Sequence, residues 1–462
     1  MEPRVVIVGA GPAGTRCAET LLAGGICPIL IDENRRDGGQ IYRRQPEGFR
    51  RDYHELYGSE ADKAAAIHQT FDALRARIDY RPETLAWNVY DKTLHTVHES
   101  RQRDIPFDAL ILCTGASDRL MPVKGWNLAG TFSLGGAQVA LKSQAVSIGH
   151  KVVFMGSGPL LYLVAVQYLK AGADVAAVLD TSPMPLRLIA MPKLMARPGV
   201  LFNGLKLIAA LRRQKVPLYF GITPMEVLGR KEEGVQGVVF SDAKGEQHHI
   251  SCDAVALGYH LRPETQLADL AKCAFEFDAL TRQWILQLDE DGRTSTPGIY
   301  AAGDGARVRG ADAAESAGRL VALAVLKDLG RSADAATRVK ERERLVIHER
   351  FRQGLMQAFP WPSGLAVSLP DEAIVCRCEA ITAGELRAVV NEKGAREANR
   401  AKAFSRVGMG RCQGRYCAHA GAEVIAQEAG VPIESVGRLR GQAPVRPVTF
   451  ALEEDIAQET PS

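Results

Sequence analysis

The feature that most constrains this chain is a glycine-rich turn that occurs twice, each time between a run of apolar β-formers and a helical stretch. Val5-Val6-Ile7-Val8 leads into Gly9-Ala10-Gly11-Pro12-Ala13-Gly14, and Lys151-Val152-Val153-Phe154-Met155 leads into Gly156-Ser157-Gly158-Pro159, 147 residues further on. A second apolar strand follows each helix and ends at an acid: Pro28 to Ile31 before Asp32 and Glu33, and Val175 to Leu179 before Asp180. A repeated strand–turn–helix–strand unit predicts an α/β fold with two Rossmann-like dinucleotide-binding units in tandem. In such a turn the first glycine permits the tight bend and the second lets the backbone approach a pyrophosphate. The third packs helix on strand, so that the helix N-terminus faces the phosphates.

The first turn is complete. Gly9, Gly11 and Gly14 are in register, with Pro12 and Ala13 opening the helix. Asp32 falls 23 residues after Gly9, where an acid bonds an adenosine ribose, and Glu33 is the neighbouring alternative. The second turn departs from the pattern, because Leu161 stands where the third glycine belongs. A leucine there should hold helix and strand apart and spoil the phosphate seat. Asp180 disfavours a 2′-phosphate, which leaves NAD or another adenine nucleotide as the ligand to consider if this unit binds one at all.

Later segments set the organisation. Arg50 to Ile78 reads as helix-rich, and Thr84 to Val89 and Thr93 to His98 alternate as strands do. Ala109-Leu110-Ile111-Leu112 is a further buried strand, ending at Thr114-Gly115. After Leu257 to Pro263 the second unit closes, and the run Thr296 to Asp304 returns the chain to the first. Helical stretches from Ala314 to about Met356 end at the turn-rich Pro360-Trp361-Pro362-Ser363-Gly364. The expected division is therefore 1–118 with 293–360 as one discontinuous unit, 119–292 as the second, and 361–462 as a small third. In the third, Thr382-Ala383-Gly384-Glu385 is a capping box opening a helix that stops near Gly394, and the tail after Glu459 is expected to be loose.

That third unit carries Cys376-Arg377-Cys378 and, after 33 intervening residues, Cys412-Gln413-Gly414-Arg415-Tyr416-Cys417. Cys17, Cys27, Cys113, Cys252 and Cys273 are scattered singly. Four thiolates in two close pairs suit an iron–sulfur cluster, and zinc is the alternative. A helical stretch, Ala422 to Glu428, follows Cys417, and its positive end would help ionise the thiols. His419 reads first as an ordinary surface histidine, with a supporting place beside the metal ligands as the other reading, and Cys113 reads as a packed core thiol.

A net charge of +3 over 462 residues gives no reason to expect nucleic acid. The clustered cysteines, with no export pattern at the start, point to a reducing, cytoplasmic setting. The most apolar stretch, Leu160 to Leu179, is broken by Gln167, Lys170 and Asp174, so no transmembrane segment is expected. Lys193 to Arg213 is basic and apolar by turns. It reads first as a helical insert packed on its own unit, with a peripheral place on the inner membrane as the other reading.

Thr296 to Asp304 resembles the second flavin-binding motif of the glutathione-reductase-like flavoproteins, which implies FAD, with Gly303 and Asp304 at its ribityl chain. Thr114-Gly115 resembles the point where that family's chain leaves the flavin domain. The family's disulfide reductases carry a C-x-x-C or C-x₄-C pair against the flavin, and none occurs before residue 376. The late cysteines resemble the [2Fe–2S] domain typified by bacterioferritin-associated ferredoxin, in the version with four residues between the last two ligands. From Val5 to about Phe450 the chain resembles the FAD subunits of heteromeric amino-acid and opine dehydrogenases. That group includes the flavoprotein subunit of opine oxidase, the alpha subunits of D-hydroxyproline and L-proline dehydrogenases, and the middle subunit of hydrogen cyanide synthase. Gly38-Gly39-Gln40-Ile41-Tyr42-Arg43 and Pro122 to Gly130 carry the likeness further, adding Gly39 and Gln40 to the cofactor-binding set.

The resemblance implies a [2Fe–2S] cluster on Cys376, Cys378, Cys412 and Cys417. It implies electron transfer from an amine-oxidising FAD partner resembling D-amino-acid oxidase to a respiratory acceptor, the donor being a CH–NH or CH–NH₂ group. A small additional iron–sulfur subunit is a further partner it allows. No catalytic residue can be named, since Arg119, Arg307, Arg309 and Arg319 near the flavin motifs read as surface salt bridges. Two other readings stay open: a free-standing NADH-dependent flavin and iron–sulfur reductase, and a non-catalytic assembly scaffold with structural zinc.

Overall fold

The computed structural model describes residues 2–49 and 51–449, so the tail expected to be loose lies outside the described residues. Two five-stranded parallel sheets carry the molecule. The first runs in the order Ile299–Ala301, Ala109–Leu112, Val5–Val8, Ile29–Ile31, Asp79–Arg81. Its outer strand comes from far along the chain, which makes this unit discontinuous. Both faces are covered, so its central strands are apolar throughout rather than alternating. Val5 and Ile7 meet the helices Pro12–Ala23 and Ala311–Asp328, while Val6 and Val8 meet the antiparallel strands Leu85–Tyr90, Thr93–His98 and Arg101–Pro106.

The second sheet repeats the plan, in the order Leu218–Phe220, Asp174–Asp180, Lys151–Ser157, Ala254–Tyr259, Thr131–Ser133. Val152 and Phe154 face the helical side, where Leu161 is fully buried beside Tyr162 and Val164. Val153 and Met155 face the other way, toward Val227, Val238 and Phe240 of an antiparallel meander. The Lys193 to Arg213 segment forms parts of two helices, Met184–Leu194 and Pro198–Arg213. They sit on their own unit through Ala190, Leu194 and Leu211, as expected of an insert, but leave Leu188, Ile189, Met195, Phe202 and Leu205 exposed.

The cysteine-bearing residues share a core with the second sheet rather than hanging from a tether. Trp126 is buried and its indole N–H donates to the Ile374 carbonyl at 2.5 Å. Trp361 stands edge-on to Tyr259, and its indole N–H donates to Glu423 at 3.0 Å. The capping box forms with both reciprocal bonds, and the helix Ala383–Lys393 ends on a left-handed Gly394. The next helix after Cys417 begins earlier than expected, spanning Ala418–Ala429 with Cys417 itself as its cap. Arg119 corrects the surface reading: it is 3% exposed, donates to the Thr281 and Arg282 carbonyls, and lies 3.7 Å over the Trp361 ring. Arg307 and Arg319 do form the partly exposed ion pairs expected, with Glu276 and Glu315. Arg309 is half-buried and lies within electrostatic reach of Glu349.

The long helix Ala335–Ala358 is anchored by ion pairs to Glu290, Asp278 and, most fully, Asp291. Asp291, 1% exposed, accepts from Arg293, Arg338 and Arg342 at 2.6–3.1 Å. Burial pushes the Asp291 carboxyl up, but the three guanidiniums outweigh it and hold it well below the usual carboxylate range. A carboxyl depressed in the folded state stabilises it above its unfolded pKa of about 4, and that contribution is lost as acid protonates it. D291N leaves three guanidiniums facing a neutral group and is expected to cost about 3 kcal/mol at neutral pH. Urea unfolding at pH 7 and at a series of pH values below about 4 checks it, the gap between variant and wild type narrowing progressively as the pH falls below the unfolded pKa.

Candidate functional site

Four segments that are distant in sequence meet at the end of the first sheet. A Cβ on Gly14 would lie 1.8 Å from the Gly9 carbonyl oxygen, so only glycine lets the helix leave the strand this closely. Gly11 caps that helix in an extended conformation without a side-chain hydrogen bond, so its first amides are free to face an anion. Gly39 lies across from it, close enough that a Cβ there would be 3.0 Å from the Gly11 Cα. Gly38 N–H donates to the Ala10 carbonyl and holds the two turns together. Gln40 is exposed and accepts from Arg43.

The fourth side is closed by Gly303, which abuts Ala13, and by Gly305, where a Cβ would come 2.5 Å from the Thr114 hydroxyl and 3.0 Å from the Gly115 nitrogen. Asp304 accepts the Arg309 and Gly310 amides at 2.8 and 3.0 Å, both on Oδ1, so Oδ2 is the oxygen open to a hydroxyl. Burial raises its carboxyl above the ordinary value. Asp32 accepts the Ala10 amide on Oδ2 at 2.7 Å and the Asn34 amide on Oδ1 at 2.7 Å, which anchors the acid beneath the glycine turn. Glu33 points elsewhere, exposed and paired with Arg446. A cleft walled by backbone, with a helix N-terminus and two anchored carboxylates, fits the pyrophosphate and hydroxyls of FAD.

The cysteines pair across the sequence, not along it. Cys376 engages Cys417, and Cys378 engages Cys412, the first pair buried and the second more open to solvent. Among the described residues, no three of these thiols have their sulfurs mutually within 4.8 Å. One tetrahedral zinc needs all four at a common ion. Two separate pairs suit two metal ions with two thiolates each. Cys417 and the backbone amides of Gly408, Glu379 and Cys378 lower the Cys376 thiol to about 6, so this sulfur is poised as a thiolate. Gly410 lets the second cysteine loop lie on the first, since a Cβ there would come 2.2 Å from that of Cys378.

Comparison with known proteins agrees with this geometry. The pyridine nucleotide-disulphide oxidoreductase family matches residues 3–319. The chain belongs to that family. Residues 374–427 match the BFD-like [2Fe-2S] binding domain. The A component of opine oxidase from Agrobacterium tumefaciens is 37% identical over 468 residues, covering 97% of this chain and 90% of that protein. Hydrogen cyanide synthase subunit HcnB of Pseudomonas aeruginosa is 30% identical over 473 residues, covering 99% and 100%. A structure of L-proline dehydrogenase from P. horikoshii shares the fold, with a TM-score of 0.72 at 22% identity over 97% of this chain and 79% of that one. The chain is thus an FAD-type oxidoreductase with a C-terminal [2Fe–2S] domain, related to named subunits of opine oxidase and hydrogen cyanide synthase.

All nine cysteines are free, and Cys113, buried against the first glycine turn, has its thiol pushed up to about 12 by that burial. The acid at the second glycine turn is engaged by the protein's own side chains. Asp180, fully buried, accepts from the Tyr162 hydroxyl and from Arg187 at 2.6 Å, and Arg187 stacks over Tyr162, Phe220 and Phe359. The His260 ring packs 3.2 Å from where a Gly158 Cβ would sit and bonds the Phe359 carbonyl, and burial lowers it to about 4, so it is neutral.

His419 is also corrected. It is half-buried, edge-on to Trp361, and desolvation holds it well below its ordinary pKa. Arg187 and Trp361 were invisible as site residues from sequence, because their partners come from other elements. Anaerobic addition of NADH is expected to leave the flavin absorbance unchanged, and rapid bleaching would mean that the second unit admits it.

Proposed function

We propose that this chain is the electron-transferring subunit of a heteromeric amino-acid or opine-type dehydrogenase. Its donor would be an amine-oxidising FAD partner resembling D-amino-acid oxidase, and its outlet a respiratory acceptor. The observation that carries the reading is the crossed pairing of the four thiols on a domain that shares its core with a flavoprotein fold. When bound, FAD handles electrons in pairs and the cluster handles them singly. The chain's own residues supply the holding. Gly9, Gly11, Pro12, Ala13, Gly14, Gly39, Gln40, Thr114 and Gly115 would wall the FAD, with Asp32 and Asp304 at its hydroxyls. Cys376 and Cys417 would hold one iron, and Cys378 and Cys412 the other. The more exposed pair lies beside the half-exposed Tyr416, where electrons could leave.

The division of labour is supported by what the arginines near the flavin motifs already do. Arg119 is spent on two carbonyls and a tryptophan, Arg307 on Glu276, and Arg319 on Glu315, so none of these three is presented to a substrate carboxylate. The purified chain is expected to show flavin absorbance, about two irons and two labile sulfides per chain, and no oxidation of proline, glycine or opines. Turnover by the isolated chain would sink the division of labour, and zinc in place of iron would sink the cluster. Co-purification from the native host, followed by reduction with candidate amines, names the partner and the substrate.

We place the protein on the cytoplasmic side, at the periphery of the inner membrane. No described helix is long and apolar enough to cross a membrane. The support is chemical: no Asp or Glu occurs between Asp180 and Glu226, where seven Lys or Arg do. The same stretch exposes Leu188, Ile189 and Phe202 by 74, 69 and 59%. Basic charge beside exposed apolar side chains suits an anionic lipid surface. The full-length protein should sediment with phosphatidylglycerol vesicles and not with neutral ones, and L188E/F202E should stay in solution. Equal partition onto both vesicles, or onto neither, overturns this placement.

A further inference from the structure

The four-residue spacing between Cys412 and Cys417 has a structural consequence that the ligands alone do not explain. Two of the four intervening residues, Gln413 and Arg415, bond one short segment, Arg262 to Gln266, which leaves the second sheet beside the flavin cleft. Gln266 donates to the Gln413 carbonyl at 2.6 Å, and Arg262 donates to the Arg415 carbonyl at 3.1 Å. Arg415 Nε donates to Glu264 at 2.6 Å, the two side chains being 11 and 10% exposed. Arg415 also reaches the Cys412 carbonyl at 3.2 Å.

The other end of the same segment touches the flavin motif. Glu264 accepts the Thr114 hydroxyl on its carbonyl at 2.6 Å, and its own amide donates to the Gly115 carbonyl at 3.0 Å. Glu264 therefore bonds both candidate sites, by backbone toward Thr114-Gly115 and by side chain toward the cysteine loop. Its carboxyl is pushed up by burial, and Arg415 and Arg262 outweigh that and hold it ionised. Arg262 is nine-tenths buried, has an unpartnered Nε, and lies within electrostatic reach of Cys412 and Cys417.

We propose that Glu264 and Arg415 are a positioning pair that docks the Cys412–Cys417 loop onto the strand end carrying Thr114 and Gly115, and that Arg262 and Arg415 supply the positive charge facing the thiolates. The inference rests on the two-cofactor reading above. Reducing a thiolate-bound cluster adds negative charge, so a nearby guanidinium raises its potential and a nearby carboxylate lowers it. A buried charge-assisted bond also protects the loop it closes from opening.

The test takes the full-length holoprotein and the variants E264Q, R415Q, R262Q and the exchanged pair E264R/R415E. It measures iron content, cluster potential by paramagnetic-resonance redox titration, and amide hydrogen exchange in residues 408–417. E264Q should raise the potential, while R262Q and R415Q should lower it, with the flavin potential unmoved. E264Q and R415Q should each speed loop exchange about ten-fold or more, R262Q much less, and the exchanged pair should recover most of the protection. If E264Q or R415Q loses iron, recovery of iron in the exchanged pair supports the docking role and R262Q still reports the charge. Potentials that all move one way, wild-type loop exchange in E264Q and R415Q, or iron loss that the exchange does not mend each overturn the proposal. A wild-type protein with no cluster signal would instead sink the two-cofactor reading itself.

Discussion

The architecture depends on how closely backbone meets backbone around the helix Pro12–Ala23. On one side Gly14 admits the Gly9 carbonyl, and on the other Gly318 admits the Ala13 carbonyl, where a Cβ would fall 2.2 Å away. The first contact sets the helix on its strand. The second sets the helix Ala311–Asp328 on the helix, and with it the strand Ile299–Ala301 at the sheet edge. Residues from opposite ends of the nucleotide-binding region thereby become walls of one cleft. Bulk at either contact would separate the walls before it touched any ligand, so the flavin cleft and the discontinuous topology have one cause.

Much of this was legible from local chemistry. Buried parallel strands are apolar without alternation, glycine turns mark the strand-to-helix bends, and the capping box at Thr382 predicts a helix start that the structure reproduces bond for bond. What escaped was set by partners on other elements. Arg119 and His419 look like surface residues because nothing near them in sequence announces Trp361, which receives both. Asp180 reads like any ribose-binding acid. The groups that consume it, Tyr162 and Arg187, come from two different helices. The four-residue cysteine spacing was visible, but its contacts with Arg262, Glu264 and Gln266 become meaningful only once that segment is placed beside the loop.

The third unit illustrates why placement matters more than inventory. Four cysteines specify a metal site, yet they leave open where it faces. The orientation comes from Trp126, Trp361 and the Arg282–Glu423 pair, which commit the domain to the meander face of the second sheet. Glu423 is 4% exposed and accepts from Arg282 and Trp361 together. A buried carboxylate with two donors is costly to break, since either loss strands a charge. The domain is thus held in one orientation by polar contacts that an apolar interface would not supply.

The second nucleotide-like unit also has a structural role. Its sheet supports the cysteine domain on one face, and on the other its glycine turn is packed by His260 and Phe359, the latter ending the helix Ala335–Ala358. The acid that would meet a ribose pairs in the interior with Arg187 and the Tyr162 hydroxyl, although burial still raises its carboxyl above the ordinary value. A nucleotide that takes this acid would have to break the Arg187–Asp180 pair, and one that widens the turn the His260–Phe359 bond. Either step leaves a buried polar group without its partner. The counterpart of Asp180 at the first glycine turn, Asp32, accepts the Ala10 and Asn34 amides instead, so the two units differ in what their acids hold.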